Sequence, residues 1–373
     1  MTSYVPKGAW SNPTTGVAAV NVEGSSITPT LIPTADVVNS CASNPITGMT
    51  VCTANGTDVY LLSGTTLGTT LTSGGSGVIS FSGGDCTTCG VAMDATHNKA
   101  LIGLSIAGAP GFQFLNLGSS TFEPAFVSPA GAISEDPLLD PIRNRLLSAS
   151  EINNYEIIDY STSTTPLFYE NPIPNPDPNF VEANSSGEDC TTGIALAPYE
   201  FSFPSQVYIA DLTQATFTAG LPGTWTAPSQ IQTLTESVLP AAGPSGIAVA
   251  QGARHQGVVT DEFGSDAVTA IQLPATSGTG TSALADWVTC NIGGGFRNGL
   301  DPHAVRAYES PNGGHAIAVL ANLDSAGPLF VTTLAVVDLT NMLDPTIVPR
   351  TVGGHGCASG TLPATVVRFI AVP

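Results

Sequence analysis

Three short runs, Gly90-Val-Ala-Met-Asp94, Lys99-Ala-Leu-Ile102 and Phe114-Leu-Asn-Leu117, decide how the chain is read. Each is a brief apolar stretch, and each is followed within a few residues by Asn or Gly. No segment of the chain sustains apolar residues at the i, i+3, i+4, i+7 spacing of a helix. Short apolar and β-branched runs bounded by Gly, Pro, Asn and Asp read instead as many short strands.

The same order recurs along the chain. A small, apolar first strand is expected at Gly90-Val-Ala-Met-Asp94, Pro137-Leu-Leu-Asp140, Gly193-Ile-Ala-Leu-Ala197, Gly246-Ile-Ala-Val-Ala250 and His303-Ala-Val-Arg306. An earlier copy starts at Gly48-Met-Thr-Val51. A second strand follows each, as at Arg145-Leu-Leu147, Gln206-Val-Tyr-Ile209, Gly257-Val-Val-Thr260 and His315-Ala-Ile-Ala-Val319. A third comes at Glu156-Ile-Ile-Asp159, Ala267-Val-Thr-Ala-Ile271 and Leu334-Ala-Val-Val-Asp338, and a more polar fourth leads to the next unit. The first strands begin near residues 48, 90, 137, 193, 246 and 303, in steps of 42, 47, 56, 53 and 57 residues. Four-stranded units of that size are the blades of a β-propeller.

The expectation is one all-β domain over residues 1–373, a seven-bladed β-propeller of four-stranded antiparallel blades. The C-terminal run Thr365-Val-Val-Arg-Phe-Ile-Ala-Val372 reads as a first strand. Tyr4-Val-Pro-Lys7, Gly16-Val-Ala-Ala-Val-Asn-Val22 and Ile27-Thr-Pro-Thr-Leu-Ile32 read as the second, third and fourth of the same blade. The two chain ends would then share one blade and remove the open sheet edges. Six blades is the alternative, with the termini extending an existing blade.

Val258-Val-Thr-Asp-Glu-Phe-Gly-Ser-Asp-Ala-Val-Thr-Ala-Ile271 resembles the strand pair of YVTN-type propeller repeats, and Tyr4-Val-Pro-Lys7 with Gly16–Val22 resembles it more loosely. The first strands are similar to the Gly-Ile-Ala-Val-Asp-Pro element shared by YVTN, NHL and gluconolactonase-like propellers. The resemblance spans nearly the whole chain and speaks to fold, because propellers host binding, scaffolding and catalysis alike.

Composition narrows the function. Lys and Arg number 9 against 29 Asp and Glu, a formal charge of −20, so no basic stripe exists to displace counterions from phosphates. Nucleic acid and anionic membranes are therefore excluded as expected partners, and no apolar stretch approaches the ~18 residues of a membrane span. Charged residues are only 10% of the chain, which excludes a solvated helical protein, and 42% hydrophobic residues exclude a disordered one. Seven cysteines with scarce Lys and abundant Ser, Thr and Gly favour an extracytoplasmic protein, secreted or periplasmic, with its signal peptide removed. Asn55-Gly-Thr57 and Asn184-Ser-Ser186 match the glycosylation sequon at a frequency near chance in so Ser/Thr-rich a chain.

In a propeller, the loops before first strands and the turns between second and third strands share one face. The former carry Asp85, Glu135, Asp136, Glu188, Asp189, Asp301 and His303; the latter carry Asp261, Glu262 and Asp324. Converging oxygen donors suit Ca²⁺, and Asp85, Glu135, Asp136, Asp189 and Asp301 are the candidate ligands. The resemblance to gluconolactonase- and paraoxonase-like propellers implies a metal polarising a lactone or ester carbonyl there. Those families place Asn or Asp just ahead of the first strand. The matching places here hold Cys89, Glu135, Thr192 and Ser245, of which Glu135 alone is a hard ligand. Solvated or turn-capping carboxylates are the plainer account.

Asp-Cys-Thr-Thr occurs twice, at Asp85–Thr88 and Asp189–Thr192, and would place Asp85 with Asp189 and Cys86 with Cys190 in equivalent positions of two blades. Cys41, Cys86, Cys89, Cys190 and Cys357 are all assigned to loops before first strands, either as disulfides stapling those loops or, with His303 or His355, as a soft Cu or Zn site. Cys52 and Cys290 are expected inside strands as free thiols. His303, near Asp301, is the candidate acid–base residue. No Gly-x-Ser-x-Gly elbow supports serine catalysis, and Gly293-Gly-Gly295 lacks the context of a phosphate loop. Two functions remain: a binding or scaffold module engaging a small molecule or protein through its acidic loop face, or a metal-dependent hydrolase or lactonase with a cation at the channel mouth.

Overall fold

The structure is a computed structural model. It describes residues 2–6, 15–21, 29–81, 84–128, 131, 137–150, 154–161, 167–170, 185–199, 206–214, 216–218, 221–224, 231–235, 244–261, 267–276, 286–291, 304–310, 316–324, 331–340 and 357–362. Among them, seven antiparallel sheets of three or more strands follow one another in chain order. Blade 1 holds Thr2–Pro6, Val17–Asn21 and Pro29–Ile32; blade 2 holds Val38–Ser43, Met49–Ala54, Asp58–Ser63 and Thr66–Thr72. Blade 3 starts at Thr88–Asp94, blade 4 at Leu138–Asp140, blade 5 at Gly187–Asp189, blade 6 at Pro244–Ala250 and blade 7 at Ala304–Glu309. From blade 2 to blade 7, each first strand touches the next one, so six of them stand around a common axis. The array is the expected β-propeller. The run Thr365–Val372 lies outside the described residues.

Two blades differ in phase from the sequence reading. Met49–Ala54 is the second strand of blade 2, because Val38–Ser43 pairs with it from Val38↔Ala54 to Ser43↔Thr50. Ile194–Tyr199 is likewise the second strand of blade 5, preceded by Gly187–Asp189 in the register Asp189↔Ile194. With this correction, the first strands of blades 2 to 7 start 50, 50, 49, 57 and 60 residues apart, a more even repeat than the 42 to 57 residues expected from the strand motifs.

Packing explains the composition. Ile247, Val249, Val259 and Ile271 of blade 6 pack on Ile194, Leu196, Val207 and Ile209 of blade 5. The alternate residues Ala248, Ala250, Val258 and Val268 pack on Val305, Val337 and Leu339 of blade 7. Successive side chains of a strand point to opposite faces, so a sheet sandwiched between two others must be apolar at every position. That is why Gly246-Ile-Ala-Val-Ala250 is a continuous apolar run rather than an alternating one. Blades 2 and 3 join through Val51, Val59 and Leu61 against Val91, Ile102 and Leu115. Blades 3 and 4 join through Leu101, Phe112 and Phe114 against Leu139, Leu146 and Ile158.

Leu101 is fully buried at the blade 3–4 junction, whereas Val78 is 53% exposed. Leu101→Ala is expected to cost about 2–5 kcal/mol through lost burial and a residual cavity, and Val78→Ala less than about 0.5 kcal/mol. Urea denaturation of both variants checks this; equal losses would show that the sheet faces do not carry the fold.

Candidate functional site

The turns from first to second strands share one pattern. Asn44, Asp94, Asp140 and Asp189 each end a first strand or directly follow it, and each is buried. Asp140 Oδ1 accepts from the backbone N–H of Ile142 at 2.9 Å and Arg143 at 3.2 Å; Asn44 Oδ1 accepts from Ile46 at 2.9 Å and Thr47 at 3.2 Å. Asp189 Oδ1 accepts from Thr191 N at 2.9 Å, and Asp94 Oδ1 from His97 N at 2.9 Å. These are side-chain-capped turns, in which a carboxylate or amide oxygen supplies the acceptor that the turning backbone lacks. Four residues after each cap stands a residue at positive φ: Gly48 at 72°, Asn98 at 53°, Asn144 at 54° and Gly193 at 75°. Gly193 is further constrained, because a Cβ there would lie 2.6 Å from Thr213 Cγ2 and 2.9 Å from Arg143 Cζ.

The same turns tie blade to blade. Asn44 Nδ2 donates to Asn98 Oδ1 at 3.0 Å, joining blades 2 and 3. The Tyr160 ring of blade 4 packs 5.1 Å from Phe114 of blade 3. Arg143 Nη1 bridges Asp140 Oδ2 and Cys190 O, both at 2.8 Å, and Arg145 Nη1 donates to Leu212 O, joining blades 4 and 5. His255 Nδ1 donates to Asp189 Oδ2 at 2.5 Å and Gln251 Oε1 accepts from Cys190 N at 3.0 Å, joining blades 5 and 6. Glu309 Oε1 accepts from Arg254 N at 2.6 Å, joining blades 6 and 7.

Inside this belt lies a buried acid cluster. Glu188 is 1% exposed, its carboxyl hydrogen-bonds Asp140, and its Oε1 has no partner among the described residues. Burial, and then the Asp140 charge and hydrogen bond, push Glu188 well above the usual carboxylate range against the pull of Arg143 and Arg145. The Cys190 turn is partly exposed, but its thiol is turned inward, 3.6 Å from Leu139 O. Burial and then the charges of Glu188, Asp140 and Asp189 push that thiol well up, so it is held as neutral SH.

Next to the cluster a cavity of about 190 Å³ occupies the axis, lined by first strands of blades 2 to 7. Its apolar wall includes Val91, Met93, Leu138 and Ile247; its polar groups are Ser43, Ser186, Cys190, Gln251 and Arg306. Each of these first strands is the edge strand of its sheet, so unpaired backbone N–H and C=O groups run beside the cavity. Cys190 and Gln251 directly follow first strands, which places the cavity at the first-to-second-turn end of the channel.

The sequence candidates divide accordingly. Glu135, Asp136, Asp301 and His303 lie outside the described residues, as does His355. Asp189 is not in a loop before a first strand but caps a first-to-second turn on the opposite face, where its Oδ1 accepts from Thr191 and Thr192 and its Oδ2 from His255. Asp85 is in a two-stranded hairpin, Ile79–Phe81 with Gly84–Cys86, ahead of blade 3. The two Asp-Cys-Thr-Thr segments are therefore not equivalent: one leads into a first strand and the other leaves one.

Cysteine placement changes as well. Cys41 lies in a first strand, directly opposite Cys52, and the two stand at disulfide distance; Cys52 is not a free thiol. Cys86 and Cys89 are also at disulfide distance, whereas Cys190 is unpaired. Cys357 is in the fourth strand of blade 7 rather than a loop, and Cys290 is in the fourth strand of blade 6 as expected. Among the described residues no three His, Cys, Asp or Glu side chains converge as a metal site, and no helix is long and apolar enough to cross a membrane.

The chain is similar in structure to the β-propeller domain of Cps50 (Swd1) from Myceliophteria thermophila, with a TM-score of 0.56 over 82% of this chain and 84% of that one, at 8% sequence identity. At that identity the likeness shows the fold alone. No family model matches the chain, and no curated protein matches it.

Two measurements probe the acid cluster. The folded chain binds the Glu188 proton more tightly than the unfolded chain does, so its stabilising share is present in acid and is lost as pH rises above the ordinary Glu range of about 4–5. Glu188→Gln keeps the shape and removes that dependence. Its stability relative to wild type is expected to rise from about pH 5 to pH 8 by up to ~1.4 kcal/mol per pH unit; parallel profiles would mean that Glu188 is ionised in the fold. At about pH 8, Cys190 in the native protein is expected to be alkylated at least ~10-fold more slowly than in denaturant, read by peptide mapping. Equal rates would contradict a buried neutral thiol.

Proposed function

We propose that the chain is an extracytoplasmic binding module of the propeller type that seats a small ligand in its channel. The axial cavity carries this reading: about 190 Å³ of mostly apolar space with a few polar side chains set in its wall, the composition of small-molecule sites generally. The two cysteine pairs at disulfide distance support an oxidising compartment. The belt of polar turns supports a rigid scaffold around the cavity. Kinship with YVTN and NHL repeats belongs to this proposal, resting on the degenerate strand motifs. The acidic loop face remains a second surface for a protein partner, with the described part of the molecule offering its cavity at the other end.

Ligand-observed NMR with a fragment library tests the reading. Hits are expected to compete with one another and to disappear in Ala307→Phe, which fills the cavity where Ala307 lines it, with circular dichroism reporting a retained fold. Hits that survive the substitution unchanged would place binding elsewhere.

A further inference from the structure

Polar side chains are few in the cavity wall, and most of them are already in use. Ser43 Oγ shares a hydrogen bond with Thr50 Oγ1 at 2.7 Å. Gln251 donates from Nε2 to Glu188 O and accepts at Oε1 from Cys190 N at 3.0 Å. The Cys190 thiol is turned to Leu139 O at 3.6 Å. Arg306, the cation in the wall, donates from Nη1 to Val305 O at 2.9 Å and is engaged by a further group besides. Ser186 differs from all of these. It lines the same cavity, is 4% exposed, and its hydroxyl has no hydrogen-bond partner among the described residues. A buried hydroxyl left unsatisfied is destabilising, and a hydrogen-bonding occupant removes that cost.

The wall is not set to receive a charge. No carboxylate is among the described residues that line it, so a cation would find no acid there. An anion would have to displace the groups that Arg306 already holds. Either ion would give up its hydration without a free counter-charge in return. The remainder of the wall is apolar, from Val91, Leu138 and Ile247. A cavity of about 150 Å³ holds benzene, so one of about 190 Å³ accommodates a single ring with a small head group. We infer that the channel binds a small uncharged molecule with an apolar body of about one ring and a single hydroxyl or carbonyl oxygen, which hydrogen-bonds the Ser186 hydroxyl. This rests on the channel being the binding site and adds the class of ligand. A serine hydroxyl is one donor and two acceptor lone pairs, so it meets either kind of oxygen.

Four probes with one body and different heads, benzyl alcohol, toluene, benzoate and benzylamine, test it by calorimetric titration of the whole chain at neutral pH. On the wild-type protein, which needs no variant to fold, benzyl alcohol is expected to bind at least tenfold more tightly than benzoate or benzylamine and at least fivefold more tightly than toluene. Ser186→Ala should weaken benzyl alcohol at least fivefold and leave toluene unchanged. Without ligand, the same variant should melt at or above the wild-type temperature, because the hydroxyl it removes has no partner to lose. A clear fall in melting temperature would mean that Ser186 is spent on the fold, and the inference fails. If toluene matches benzyl alcohol, or benzoate or benzylamine binds more tightly, and all are lost in Ala307→Phe, the channel is the site and the inference about its ligand fails. If no probe binds, both the inference and the channel reading fall.

Discussion

Burial of each sheet on both faces is the constraint on which the molecule depends. A blade has no core of its own; its apolar side chains pack on the blade before and the blade after it. Blade 6 shows the division most clearly, with Ile247 and Val249 turned to blade 5 and Ala248 and Ala250 to blade 7. Larger residues on one side and smaller ones on the other let the sheets converge on the axis, where space is narrowest. A chain built this way needs β-branched and small apolar residues at successive positions and has few places for charge, which is how 42% hydrophobic content and 10% charge come together in one protein.

Apolar packing is non-directional and does not by itself fix the angle or height of one blade against the next. The capped turns supply that information. Each cap closes its own hairpin, and neighbouring groups in the same turns reach across to the adjacent blade, as Asn98 meets Asn44 and His255 meets Asp189. Because these bonds are directional and largely buried, a slipped register would leave Asp94, Asp140 or Asp189 unsatisfied, at a cost of several kcal/mol for a buried charge. The belt thus selects one assembly among the many that apolar faces alone would permit.

The propeller was legible in the sequence because strand spacing and turn residues are local signals. The phase of blades 2 and 5 was not, for a physical reason. Gly193-Ile-Ala-Leu-Ala197 resembles Gly246-Ile-Ala-Val-Ala250, but one is a second strand and the other a first. Both strands are interior to the array and sandwiched on two faces, so they meet the same packing demand and converge on the same residues. The discriminating signal was in the turns: Asn or Asp followed four residues later by Gly or Asn marks Asn44–Gly48, Asp94–Asn98, Asp140–Asn144 and Asp189–Gly193 as one class of hairpin. Reading Asp189 by that rule, rather than by the Asp-Cys-Thr-Thr it shares with Asp85, places it at the end of a first strand. The axial cavity had no local signal at all, since Ser43, Ser186, Gln251 and Arg306 come from four blades and meet only when the array forms.

The formal charge of −20 acquires a different meaning in the folded chain. It counts every carboxylate as ionised and equally available to a partner, and neither holds. Asp94, Asp140, Glu188 and Asp189 are buried, and their work is to close hairpins and join blades. Burial beside Asp140 pushes the Glu188 carboxyl well above the usual range, so its charge is disfavoured where the formal count assigns one. Among the described residues, these buried carboxylates sit at the turns that ring the channel end, and none of the residues lining the cavity is an acid.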